Sequence, residues 1–188
     1  MNLTKVSFIA APALMAGYGI VRLASDHRSP GLGWTVGHLL MLAALILFAW
    51  VIAGLRRAGA GIAANIFAVI SYVGLAASIV QIGLDIVVGL ISADAAEKSR
   101  HFDQIQAVPG VLPLVYTVVP LFFHLGTVAL AIAAATAGPR RAPWWTPVLI
   151  LLGTATAGVN LDYIPVAGLL YAIALTPLAL RTVAPRPA

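Results

Sequence analysis

The chain has 188 residues, of which 61% are apolar and only 9% charged, with a net charge of +5 and no cysteine. A soluble domain carries about 25% charged residues, and a chain this poor in charge lacks the polar surface to cover itself in water. Composition thus excludes an ordinary soluble globule, and the missing cysteines exclude disulfides, thiolate metal sites and thiol nucleophiles.

The first apolar run covers residues 6–24 and ends at Ser25-Asp26-His27-Arg28-Ser29-Pro30-Gly31. Leu23-Ala24-Ser25 has the look of a signal-peptide cleavage site, but Arg22 and the lack of a basic leading cluster favour a retained span. The second run, 34–55, closes on Arg56-Arg57-Ala58-Gly59. The third, 62–92, is long: at 1.5 Å per residue it reaches about 46 Å, against a bilayer core of about 30 Å, so it must tilt or project. The most polar stretch follows, from Asp94 to Gln106, with Glu97, Lys98, Arg100, His101 and Asp103. A fourth run, 111–137, contains Pro113 and Pro120 and precedes Gly138-Pro139-Arg140-Arg141. The fifth, 144–159, leads through Asn160-Leu161-Asp162-Tyr163-Ile164-Pro165 into the sixth, 166–180, and a short basic tail. The expected fold is an all-α polytopic transmembrane bundle of about six helices in a single domain, the last two short enough to form a re-entrant pair.

The charges sort by side. With the N-terminus inside, the cytoplasmic side holds Lys5, Arg56, Arg57, Arg140, Arg141, Arg181 and Arg186 and no acid. The outer side holds Arg22, Arg28, Lys98 and Arg100 together with every acid: Asp26, Asp85, Asp94, Glu97, Asp103 and Asp162. Lys/Arg bias in short loops sets orientation, which predicts both termini inside. The net positive charge then reads as topology and contact with anionic lipid, not as a nucleic-acid surface. Trp144 and Trp145 fall at the expected inner interface, and Trp34 and Tyr163 at the outer one. An Ala, Gly, Val and Arg bias with almost no Lys fits a GC-rich bacterial genome, and hence a bacterial plasma membrane.

Polar groups within a span are costly and mark candidate sites. On the third helix Ser71, Gly74, Ser78, Gln81 and Asp85 recur at spacings of three and four, so they share one face, continued by Gly89 and Ser92. This stripe is either a small-residue packing seam holding one satisfied acid or the wall of an outward-facing cavity with Asp85 as proton carrier, cation ligand or general acid. His38 lies one turn inside the outer end of the second helix, within reach of the Asp85 layer. His124 sits deeper on the fourth helix, where Pro120 deprives the Tyr116 carbonyl of its helical partner. Asn160 and Asp162 suit a turn, with a place at the cavity mouth as the alternative. His38, Asp85, His124 and Asp162 are suitable metal-ligand types, but their spacing matches no metal motif, and no cofactor is expected.

The layout resembles a family of small bacterial integral membrane proteins with a domain of unknown function. That likeness lies in Gly33 to Arg57, Ala63 to Ala93 and Pro143 to Tyr163, most of all in Leu149-Ile150-Leu151-Leu152-Gly153 and Asn160-Leu161-Asp162-Tyr163. It implies a long third helix, a polar outer loop, a kinked fourth helix, a basic inner turn and a helix ending in a polar turn. It transfers no activity. A fainter likeness is to small integral-membrane terpene cyclases, which is similar in implying buried carboxylates, here Asp85 and Asp162, as acids in an apolar cavity.

Three functions are compatible with these readings. The first is a membrane protein whose outward-facing polar cavity, built from His38, Gln81, Tyr116, His124 and Asn160 around Asp85, binds or handles a small or lipophilic molecule. The second is an acid-catalysed cyclase or isomerase using Asp85 and Asp162. The third is a structural or regulatory subunit. A closed cavity of about 300 Å³ or more at Asp85 separates the first two from a filled, structural bundle.

Overall fold

A computed structural model of the chain describes residues 3–26, 28–138 and 142–180. The Arg140-Arg141 turn, Arg181 and Arg186 lie outside these residues. Seven α-helices run in chain order among the described residues: α1 Leu3–Ala24, α2 Leu32–Ala58, α3 Gly61–Ile91, α4 Ala95–Ala107, α5 Val118–Thr136, α6 Trp145–Val159 and α7 Ile164–Leu180. A π-helical turn, Leu112–Thr117, leads into α5, and a 3₁₀ turn, Leu161–Tyr163, leads into α7.

Five stretches are helical, long and apolar enough to cross a membrane: Leu3–Ala24, Leu32–Ala58, Gly61–Ile91, Leu112–Thr136 and Leu161–Leu180. The sixth apolar helix, α6, has 15 residues and extends about 22 Å, short of a bilayer core of about 30 Å. Against six expected spans, five helices are long and apolar enough to be spans, and α6 is a shorter apolar helix. The seventh helix, α4, is the polar stretch after α3.

That stretch folds as a helix because its first residues cap it. The Asp94 carboxylate accepts the Glu97 N–H at 2.8 Å, and Glu97 Oε2 accepts the Ala93 N–H at 2.7 Å. This is close to a capping box. Lys98, His101, Phe102 and Ile105 then recur at three- and four-residue spacing along one side, while Arg100, Asp103 and Gln104 are exposed.

The helices pack side by side. Helix α1 lies between α2 and α7, α3 between α2 and α5, and α6 between α5 and α7. The core centres on Phe48 of α2, whose ring meets Phe123 of α5 edge-on at 5.3 Å and Tyr171 of α7 at 5.7 Å. Edge-to-face aromatic pairs add to the stabilisation from burial alone. The buried Tyr171 hydroxyl is satisfied by Thr154 Oγ1 at 2.8 Å.

The stripe on α3 divides in two. Its first half is a seam against α5. Gly74 lies so close to the Phe122–Phe123 backbone that a Cβ there would overlap it, and Ser71 fits against Gly126. Ser71 Oγ donates to the Phe67 carbonyl at 2.8 Å, and Ser78 Oγ to the Gly74 carbonyl at 3.0 Å. Each hydroxyl is satisfied on its own helix, and helix approach does the rest. Of the two readings of the stripe, the packing seam applies here. The second half, from Asp85 onward, leads to the candidate site.

Outside the core the bundle is apolar. Ile9, Leu39, Ile46, Val69, Val80, Leu125, Leu151 and Leu169 are all exposed.

Candidate functional site at the acidic end of the bundle

The C-terminus of α1, the N-terminus of α2, the C-terminus of α3 and all of α4 meet at one end of the bundle. Three ionisable side chains from three helices converge there: His38 (α2), Asp85 (α3) and Lys98 (α4). The reach of His38 to the Asp85 layer is as the spacing predicts. His38 Nε2 lies 3.8 Å from Asp85 Oδ2, an electrostatic contact rather than a hydrogen bond. His38 Nδ1 is held by the Trp34 carbonyl at 2.7 Å, one helical turn back. This bond makes Nδ1 the donor and leaves Nε2 facing the carboxylate.

Trp34 organises the cluster. Its indole stacks on His38 with ring centroids 4.1 Å apart and donates Nε1–H to the Asp85 backbone carbonyl at 2.8 Å. The ring fits because position 89 is glycine: a Cβ there would overlap the indole. On its open face the indole receives Lys98 Nζ, 3.6 Å from the ring centroid, well inside cation–π range. Lys98 is only 6% exposed. Burial pushes its ammonium below the ordinary value of 10.5, while Asp26 and Asp85 act in the opposite direction.

Asp85 is buried, and its Oδ1 has no hydrogen-bond partner. The Tyr116 hydroxyl, on the π-helical turn, comes near enough to interact with the Asp85 carboxyl, though not in hydrogen-bonding alignment. In that turn the Val118 N–H reaches back to the Pro113 carbonyl. The extra residue per turn that this implies is the local distortion just ahead of Pro120.

A shallow open cleft lined by Tyr18, Arg22, Ser25, Gly33, Trp34, Gly37 and His38 lies beside the cluster, with a volume of about 10 Å³, room for roughly one water. This is smaller than a typical small-molecule pocket of about 300 Å³ or more, and Asp85 is not among its lining residues. Arg22, at the edge of the cleft, pairs with Asp162 at 3.2 Å and ties α1 to the turn before α7.

The remaining sequence candidates fall elsewhere. Asn160 is a turn residue: its Oδ1 accepts the Asp162 N–H at 2.9 Å. Asp162 is engaged by Arg22. Gln81 is half-buried on α3, one turn before Asp85. His124 contacts the Phe123 ring and leaves a buried Nδ1 without a partner. Trp34, near the start of α2, packs onto α3 and α4. Lys98 and Phe102 were not anticipated as site residues. Their signal was the Asp94-Ala95-Ala96-Glu97 cap spacing, which makes a helix and so gives the polar stretch an inner face.

Among the described residues no group of three or more His, Asp or Glu side chains is placed to hold a metal ion. The chain matches no protein-family model, no curated protein and no solved structure.

Proposed function

We propose that this chain is a multi-pass helical protein of a bacterial plasma membrane, with its basic end in the cytoplasm. Its acidic outer end binds or handles a small or lipophilic molecule. The observation that carries this reading is the convergence of His38, Asp85 and Lys98 in a bundle that is otherwise apolar, with one Asp85 oxygen left without a partner. Burying ionisable groups is costly, and leaving an acceptor unsatisfied adds about 1–3 kcal/mol. A donor on a ligand would offset that cost, whereas the cleft beside the cluster is small and leaves Asp85 out, which favours a filled, structural bundle. Exposed apolar side chains around the helices support the bilayer as the surrounding solvent. Lys5, Arg56 and Arg57 at one end and the acids at the other support the orientation.

The packed α3–α5 seam favours a structural subunit as the second reading. An acid-catalysed enzyme is less well supported, because Asp162 is bound to Arg22 and the cleft is small.

The absence of native cysteine allows a direct test with single introduced cysteines. In whole cells a membrane-impermeant thiol reagent should label Ala96→Cys, on exposed α4, and should label Ala60→Cys only after permeabilisation. The reverse pattern inverts the orientation. A small polar thiol reagent should reach His38→Cys and not Ser71→Cys in the seam. If His38→Cys is as inert as Ser71→Cys, the outer end is a closed packing element and the structural reading replaces this one.

A further inference from the structure

The side chains next to the Lys98 site on Trp34 are linked in a ring. Trp34 meets Phe102 at 6.1 Å, Phe102 meets the edge of Tyr116 at 6.5 Å, Tyr116 faces the Asp85 carboxyl, and Asp85 accepts through its backbone carbonyl from Trp34. Phe102 follows Lys98 by one helical turn on the same side of α4. The ammonium therefore sits on an indole face that itself meets a second aromatic ring, with the Asp85 carboxylate and Asp26 attracting it. Aromatic faces plus a carboxylate are the surroundings that recognise an organic ammonium, because the ring quadrupole and the acid both favour a weakly hydrated cation. Lysine is a strongly hydrated cation, and its burial here opposes its charge. It is an imperfect occupant of such surroundings.

We propose that Trp34, Tyr116 and Asp85, the members of this ring that stay behind when α4 lifts, form a binding site for an organic ammonium group, and that Lys98 is a tethered occupant which a ligand then displaces. The inference rests on the reading of the outer end as a small-molecule site, and it assigns the chemistry of the ligand. Asp85 Oδ1, which Lys98 does not satisfy, and the Tyr116 hydroxyl supply polar partners for a ligand hydroxyl or N–H beside the cationic head. The tether makes Lys98 a competitor at an effective concentration on the order of millimolar. Only the fraction of molecules with α4 lifted binds ligand, and apparent affinity falls by that fraction.

The test is choline binding to the detergent-purified full chain by equilibrium dialysis, with its uncharged isostere 3,3-dimethyl-1-butanol as competitor. Removing the occupant with Lys98→Ala should tighten choline binding about 10-fold or more over the native chain. Lys98→Arg, which keeps a cation on the ring, should bind no more tightly than the native chain. Adding Trp34→Leu to Lys98→Ala should abolish the gain, and the uncharged alcohol should not compete. Lys98→Met, which keeps the apolar stem, gives the same comparison if Lys98→Ala does not elute as a folded species. Choline binding that is unchanged in both Lys98→Ala and Lys98→Met overturns the inference, as does equal competition by the alcohol. If His38→Cys is still labelled in that case, the small-molecule reading stands without the ammonium. If His38→Cys is inert as well, both fall.

Discussion

The two halves of helix α3 treat polar side chains in opposite ways. In the first half, Ser71 and Ser78 donate to carbonyls one turn back on the same helix and then pack against α5. In the second, Asp85 lies beside His38 of another helix and attracts Lys98 of a third. The reason lies in the donor and acceptor inventory. A hydroxyl carries its own proton and finds a helix carbonyl four residues away, so it needs nothing from its neighbours. A carboxylate is acceptor-only, and the N–H groups of its own helix are already used. It must recruit donors or cations from other elements, and a helix face ending in an acid becomes a meeting point. Small hydroxyl residues make seams, and an acid at the same spacing makes a site.

This contrast can be broken from either half. The largest effect should come from Gly74→Val, which forces a side chain into the Phe122–Phe123 backbone and should cost about 3 kcal/mol. Ser71→Ala, at the same seam, should stay within about 0.5 kcal/mol, because the hydroxyl serves only its own helix. Thermal unfolding in detergent reads both. A Ser71→Ala cost equal to that of Gly74→Val would make the seam polar rather than steric.

In the outer half, Asp85→Asn should leave global unfolding nearly unchanged while weakening the docking of α4 by roughly 1–2 kcal/mol. Hydrogen exchange reads this as faster amide exchange across Ala95–Ala107 with none across the α3–α5 seam. Uniform acceleration in both regions would erase the distinction between them.

The pH response belongs to Lys98. Burial lowers its pKa on docking, so between that lowered value and 10.5 the undocked helix binds more protons than the docked one. Rising pH through this window must strengthen α4 docking, and the cost of burying the charge is fully present below it. Amide protection of α4 should increase with pH in the native chain, after correction for intrinsic exchange, and should lose this slope in Lys98→Met. A slope of opposite sign would mean that attraction to Asp26 and Asp85 outweighs desolvation.

The smallest effect is expected at Arg22 and Asp162, which are 16% and 42% exposed. A double-mutant cycle of Arg22→Gln and Asp162→Asn should give a coupling below about 1 kcal/mol, as for partly exposed ion pairs. A much larger coupling would extend the site from α3 to the turn before α7.

Much of this architecture was legible in the residue order, for reasons that are local. Apolar runs set the helices, and α3 begins and ends within one residue of its run because its polar residues are isolated and no proline or polar cluster breaks it before Ser92. The spacing of three and four residues put Ser71, Ser78 and Asp85 on one face, since a helix face follows from periodicity alone. The depth of His38 was enough to place it near Asp85. Periodicity does not say which neighbour a face meets, and so the division of the stripe into a seam and a site was beyond it. That division depends on α5 covering the first half and α2 with α4 covering the second. The docking of α4 was likewise a tertiary matter: its cap is written in Asp94 and Glu97, but a polar helix can equally lie free in water. What brings it down is the indole of Trp34, whose edge fits against Gly89 and whose face receives Lys98. Sequence determined the helices, the face that carries Asp85 and the end on which the acids gather. Only the three-dimensional packing decided that Trp34 turns inward, that Lys98 is buried and that Asp162 goes to Arg22, because each depends on side chains from helices far apart in the chain.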